Sequence, residues 1–199
     1  MKILAFSDLH LARARAADLV VASADADLVI GAGDFCNTQQ GLDQAMELLS
    51  GISAPMVVVP GNAESADELR DAALPTMTVL HGAGAEVEGL QLFGLGYGVP
   101  PTPFGEWSCD LTEEFAAQML SACTKADILI THSPPKGLAD QTSAGISVGS
   151  TAIRDAIARV QPQLALCGHI HDSWGQRGMI EQTQVVNLGP TVNWFEVDH

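Results

Sequence analysis

A chain of 199 residues, 47% of them hydrophobic and 17% charged, buries roughly 70% of its unfolded surface around one core, which excludes disorder and leaves no need for structural staples. Twenty-four acidic against nine basic residues give a formal charge of −15, and Arg13, Arg15, Arg70 and Arg154 form no stripe, so long nucleic acid and anionic membranes are excluded as natural partners. No apolar run approaches the ~18 residues of a membrane span, Met1 to Asp8 is too short an apolar stretch for a secretory signal, and the four cysteines show no C-x-x-C pair, so a single domain over residues 1–199 with reduced thiols is expected in the cytoplasm.

Short runs rich in Val, Ile and Leu alternate with helix-period segments, the pattern of a layered α/β domain. In chain order the spacing predicts a strand at Lys2 to Ser7, a helix at Ala12 to Ala24, a strand at Asp27 to Gly31 and a helix at Gln39 to Ser50. A strand at Met56 to Val59 and a helix at Ser65 to Ala73 follow. Two β-rich pieces come next, Met77 to Leu80 and a tight hairpin over Glu86 to Phe93, and then a Gly/Pro-rich loop from Gly98 to Asp110. The second half reads as a helix at Leu111 to Cys123, strands at Asp127 to Thr131 and Gln163 to Cys167, and a helix at Thr151 to Val160 capped by Ser150. The tail from Trp174 to Asp198 is β-like, with turns at Gly178 and at Gly189-Pro190. The five clearest strands are expected in one front sheet and the remaining β segments in another, the two packed face to face with helices outside.

Each of those five strands runs into a side chain able to ligate a metal: Asp8 and His10, Asp34, Asn62, His132, and the pair His169 and His171. In open α/β sheets the carboxyl edge is where ligands bind. Any one of these residues alone is more often a turn, a cap or a satisfied histidine, but the joint pattern points to metal. Imidazole with Asp and Asn oxygens suits first-row transition ions such as Mn, Fe, Zn or Ni better than Ca²⁺ or structural zinc. Seven ligands exceed what one open ion takes and suffice for two ions sharing a carboxylate, a recurrent device for cleaving phosphoesters. Gly33, Gly61 and Gly168 directly precede ligands, where a missing Cβ permits close backbone approach.

Asp8-x-His10, Gly33-Asp34, Gly61-Asn62-x-Glu64, His132 and Gly168-His169-x-His171, in this order, resemble the signature of the calcineurin-like metallophosphoesterase family, and Thr131 to Gly137 with Cys167 to His171 is similar to its small bacterial and archaeal members. The resemblance implies a four-layer αββα sandwich of two mixed sheets flanked by helices. It places Asp8, His10 and His171 on one metal, Asn62, His132 and His169 on a second, and Asp34 between them. The family block is usually Gly-Asn-His-Asp/Glu; here Ala63 replaces the histidine, so either the leaving group, such as an aryl alcohol, needs no general acid, or water on a metal, Glu64 or His81 supplies the proton.

The reading is a dinuclear-metal-dependent hydrolase of a small phosphodiester or phosphomonoester, diesters being slightly favoured, in which a metal-bridging hydroxide attacks phosphorus. Asp34, Asn62, His132 and Glu64 are the residues expected to carry the reaction, Glu64 by orienting its neighbours. The rival reading is a weak or inactive phosphoesterase fold serving as a protein-binding or metal-sensing module. Gly145-x-Ser147-x-Gly149 matches a nucleophile elbow but lacks a preceding strand, so the loop is expected to border the site instead. Tyr97, Phe104 and Trp107 either wall the site or pack onto the domain, the latter being favoured.

Overall fold

The structure is a computed structural model, and it describes residues 1–197; Asp198, the predicted end of the β-like tail, lies outside the described residues. The elements in chain order are β1 (Lys2–Phe6), α1 (Arg13–Ser23), β2 (Leu28–Ala32), α2 (Leu42–Leu49), β3 (Met56–Val59), α3 (Ala66–Ala72), β4 (Met77–Val79), β5 (Ala83–Val87) and β6 (Leu90–Leu95). They continue with α4 (Glu113–Leu120), β7 (Ile128–Thr131), α5 (Thr151–Val160), β8 (Leu164–Cys167), β9 (Arg177–Ile180), β10 (Thr183–Asn187) and β11 (Asn193–Glu196).

Two mixed sheets result, ordered β11-β1-β2-β3-β4 and β5-β6-β7-β8-β10-β9. In the first, β1 to β4 pair parallel and β11 closes the edge antiparallel; in the second, β6, β7, β8 and β10 are parallel between the antiparallel edge strands β5 and β9. The central strands are apolar at nearly every position because both faces are covered. Ile3, Ile30, Val57, Ile128, Leu166 and Val186 meet in a core between the sheets. Leu4, Val29 and Val58 pack outward against Leu19, Leu49 and Leu69 of α1 to α3, and Leu129 and Val185 pack against Leu120, Ile153 and Ile157 of α4 and α5. These are the four layers of an αββα sandwich.

Three expectations change. The five strands that run into the candidate ligands do not share a sheet: β1, β2 and β3 lie in the first, β7 and β8 in the second. Periodicity shows which segments are strands, whereas partner choice depends on which faces they bury. The Met77 segment extends the first sheet beside β3, since α3 returns the chain parallel to that strand. Gly178 sits inside β9, and the turn falls at Glu181-Gln182, while Gly189-Pro190 carries the chain across to β11 in the first sheet.

Helix starts follow from local chemistry. Ser65 and Glu68 form a reciprocal capping box on α3, and the Ser150 hydroxyl accepts from Ile153 N as expected. Glu113 of α4 adds acceptors for Thr151 N and Ala152 N, tying the two helices together. By contrast α2 begins three residues later than its apolar period suggests, because Thr38, Gln39 and Gly41 all adopt positive φ.

Candidate metal centre

The carboxyl ends of β1, β2, β3, β7 and β8 converge where the two sheets meet. Backbone bonds stitch that edge: Asp8 N donates to Gly33 O at 2.9 Å, His10 N to Asp34 O at 3.0 Å and Gly168 N to His132 O at 2.9 Å. Asp8, His10, Asp34 and His169 all sit at positive φ, between 44° and 67°, a conformation that costs non-glycine residues energy and persists only where surroundings impose it. Gly61 makes the closest approach possible, since a Cβ there would lie 2.0 Å from Asp34 Oδ1.

Six of the seven predicted residues come together as two adjoining groups, Asp8 with His10 and His171, and Asp34 with His132 and His169, each with ligand atoms within 4.8 Å of one another. Asp34 spans them. Its Oδ2 lies 3.4 Å from His10 Nε2 and its Oδ1 3.4 Å from His132 Nε2. Asn62 Oδ1 joins the second group at 3.1 Å from His132 Nε2. In the first group the Nε2 atoms of His10 and His171 stand 3.3 Å apart, and His171 Nε2 is 3.7 Å from Asp8 Oδ1.

The donor chemistry fits cations. His132 Nδ1 faces Ala32 O at 2.8 Å and His10 Nδ1 faces Cys36 O at 3.0 Å. A carbonyl only accepts, so each Nδ1 carries hydrogen, and in the neutral ring each Nε2 is left to point a lone pair inward. His132 Nε2 therefore faces the acceptors Asn62 Oδ1 and Asp34 Oδ1, an arrangement that either a proton or a cation reconciles.

Among the protein groups alone, burial favours a neutral His132 but Asp34 overrides it and raises the imidazole to about 9. Burial likewise works against the Asp34 carboxylate, yet His132 and then His10 hold it well below the usual range. His169 is pushed down to about 4 by burial and by the neighbouring His132. The pull by which Asp34 draws a proton to His132 is the pull a divalent ion would use.

Glu64 is fully buried and does not open onto the cleft. Its carboxylate accepts from Gly61 N at 2.7 Å, Asp34 N at 2.9 Å and Phe35 N at 3.1 Å, clamping the two turns that present Asp34 and Asn62. Burial and the Asp34 charge raise it to about 7. Ala63 is buried too, its N–H donating to Asp34 Oδ1 at 2.8 Å and its carbonyl accepting from Cys36 Sγ. Burial and Glu64 keep the Cys36 thiol protonated. His81 packs on Tyr97 and accepts from Gly96 N. Neither His81 nor Tyr97 lines the cleft.

That cleft, about 380 Å³, is lined by His10, Asp34, Asn62, His169, His171 and Asp172 together with Phe104, Trp107, Thr142 and Ile170. Phe104 and Trp107 stack at 8° with centroids 5.6 Å apart, and Phe104 meets the His169 ring edge on. The two aromatics thus wall the cleft rather than packing away, whereas Tyr97 packs. Of the loop over 138–149, Thr142 reaches the cleft, but Ser147 spends its hydroxyl on Asp140.

Several contributors carry no sequence signal, being ordinary residues on loops and strand ends. Trp174 Nε1 donates to Asp8 Oδ2 at 3.0 Å, with its ring against His171. Asn187 Nδ2 donates to Gly168 O and Ile170 O, holding the turn that carries His169 and His171. Ser108 accepts from Asn62 Nδ2 at 3.0 Å.

The calcineurin-like phosphoesterase superfamily domain matches residues 1–198. This chain belongs to that superfamily. Its sequence is 28% identical over 177 residues to the UPF0046 protein K07C11.7 of Caenorhabditis elegans, covering 76% of this chain and 58% of the nematode protein. This superfamily member therefore spans under two thirds of that relative. Among solved structures, the protein TT1561 of Thermus thermophilus superposes with a TM-score of 0.76 at 18% identity, covering 98% of this chain and 97% of that one. A dimetal phosphatase from Danio rerio superposes with a TM-score of 0.64 at 12% identity, covering 96% and 88%. At such identities the likeness establishes the calcineurin-like fold. Among the described residues, no helix is long and apolar enough to cross a membrane.

Proposed function

We propose that this calcineurin-like chain is a two-metal phosphoesterase that hydrolyses a small phosphodiester, and that it works in the cytoplasm. The observation that carries the reading is Asp34, whose two oxygens each lie 3.4 Å from a histidine Nε2 of a different group. Asp8, His10 and His171 would hold one divalent ion, Asn62, His132 and His169 the other, and Asp34 both. Such a pair, when bound, supplies Lewis acidity toward phosphoryl oxygens and acidifies water near neutrality.

The protein's own groups shape what enters. Among the described residues, no Lys or Arg lines the cleft, and Asp172 stands at it as a further carboxylate. On a chain of charge −15, a singly charged diester meets less repulsion than a doubly charged monoester. Phe104 and Trp107 offer a flat apolar face for one ester group. Apart from the candidate ligands, Asp172 is the one titratable side chain among the lining residues, so esters whose leaving group departs as a stable anion suit the site best. Glu64 acts through position alone, holding the backbone of Gly61 and Asp34.

The test is hydrolysis of bis(p-nitrophenyl) phosphate and p-nitrophenyl phosphate by metal-stripped protein resupplied with Mn²⁺, Fe²⁺, Zn²⁺ or Ni²⁺. Metal-dependent turnover is expected, faster on the diester, and Asp34→Asn should lower it about a thousandfold, because metal stabilisation of the transition state amounts to several kcal/mol. Two ions bound per chain with no turnover on either ester would overturn the enzyme reading in favour of a binding or metal-sensing module. A faster monoester would overturn the preference.

A further inference from the structure

The direction in which an asparagine amide points decides whether it offers a cation an oxygen or a repelling N–H pair. Asn62 comes from the turn after β3 and is nearly buried, and its Oδ1 faces His132 Nε2 at 3.1 Å. What sets that direction lies on a different part of the chain, the loop over 98–110. Asn62 Nδ2 donates to Ser108 Oγ at 3.0 Å, and Ser108 Oγ in turn contacts Asp110 Oδ1 at 2.9 Å.

The donor and acceptor inventory makes this chain directional. Ser108 Oγ meets the acceptor-only Asp110 carboxylate and, at 2.9 Å, Thr102 Oγ1, so its single hydroxyl proton has a taker on that side, and its lone pairs are left to receive Asn62 Nδ2. With the nitrogen so engaged, the Asn62 oxygen must face the candidate ion position. Asp110 is itself held, its Oδ2 accepting from Thr102 N at 2.8 Å and Thr102 Oγ1 at 2.9 Å. Gly98 leaves room for it, because a Cβ there would lie 2.3 Å from Asp110 Oδ1. Cys109 N, between the two residues, donates to Asn62 O at 2.9 Å, so the loop grips Asn62 by backbone and side chain together.

We infer that Ser108 and Asp110 are positioning residues for the second ion: they lock the Asn62 amide with its oxygen toward the space shared with Asp34, His132 and His169. The same loop carries Phe104 and Trp107, so the wall of the cleft and the aim of a ligand belong to one unit. This inference rests on the two-metal reading above.

Calorimetric titration of the metal-stripped chain with Mn²⁺ tests it. The wild type should take up two ions. Ser108→Ala and Asp110→Ala should weaken one of the two by about ten- to a hundredfold, the usual consequence of removing a hydrogen-bond partner from a metal ligand, and leave the other unchanged. Ser108→Thr, which keeps the hydroxyl, should restore wild-type uptake. The melting temperature of each metal-free variant, measured alongside, separates lost aim from lost fold. Two wild-type affinities in Ser108→Ala would overturn the relay alone, as would equal weakening of both ions with a large fall in melting temperature. A wild-type chain that takes up no second Mn²⁺ would overturn the two-metal reading itself, and the relay's part in it.

Discussion

The two candidate ion positions are built differently. Around the second, Asp34, Asn62 and His132 are buried, come from both sheets, and are tied by backbone turns, Glu64 and the 98–110 loop. Around the first, Asp8 is buried but the His10 and His171 side chains are 27% and 50% exposed, and His171 comes from the open turn after β8. The first group can therefore yield to solvent, while the second is part of the packing between sheets. A metal held at the second position should be the slower to leave, and damage there should reach the fold.

The largest test of that contrast is Gly61→Ala. Its Cβ would meet Asp34 Oδ1 at 2.0 Å and Asp34 N at 2.2 Å, so the turns must part. We expect a stability loss of about 3 kcal/mol in denaturant unfolding of the metal-free chain, against under about 0.5 kcal/mol for His171→Ala at the exposed position. Equal losses would erase the distinction.

A smaller effect should sharpen it from the other side. Trp174→Phe keeps a ring against His171 but removes the N–H that Asp8 Oδ2 accepts. Losing one such hydrogen bond, about 1 kcal/mol, should weaken one Mn²⁺ about fivefold in calorimetry and leave the ion at the second position untouched. If the ion that Ser108→Ala weakens is also the one that Trp174→Phe weakens, the two positions are not separately supported.

A test that leaves both ion positions intact concerns a histidine outside both groups. Burial, then Arg70, depresses His81 from 6.5 to about 4, so it folds neutral. The unfolded chain binds a proton first, and the stability His81 contributes is complete above pH 6.5 and is lost as pH falls toward 4. His81→Gln should flatten the fall in urea midpoint between about pH 7 and about pH 4.5 while leaving Mn²⁺ uptake at neutral pH unchanged. Parallel midpoint curves for the two proteins would remove His81 from the account of acid sensitivity.

The sequence by itself determined most of the elements and the candidate ligand types. Apolar runs bounded by Gly and Asp, and the capping signals at Ser65 and Ser150, are local, and local physics suffices to read them. The positions of Asp8, Asp34, Asn62, His132 and His169 after strands were legible for the same reason, since a strand end is a local feature. Tertiary structure alone decided that those strands belong to two sheets and meet at one edge, because pairing depends on faces buried against distant segments. It also turned Glu64 inward onto backbone amides, swung Phe104 and Trp107 to the cleft, and set Ser108 and Asp110 behind Asn62. Hydrogen bonds of that kind join residues 46 positions apart, as Asn62 and Ser108 are, and no periodicity records them. Their direction follows from which groups can only accept, and that becomes visible once the chain has brought them within reach.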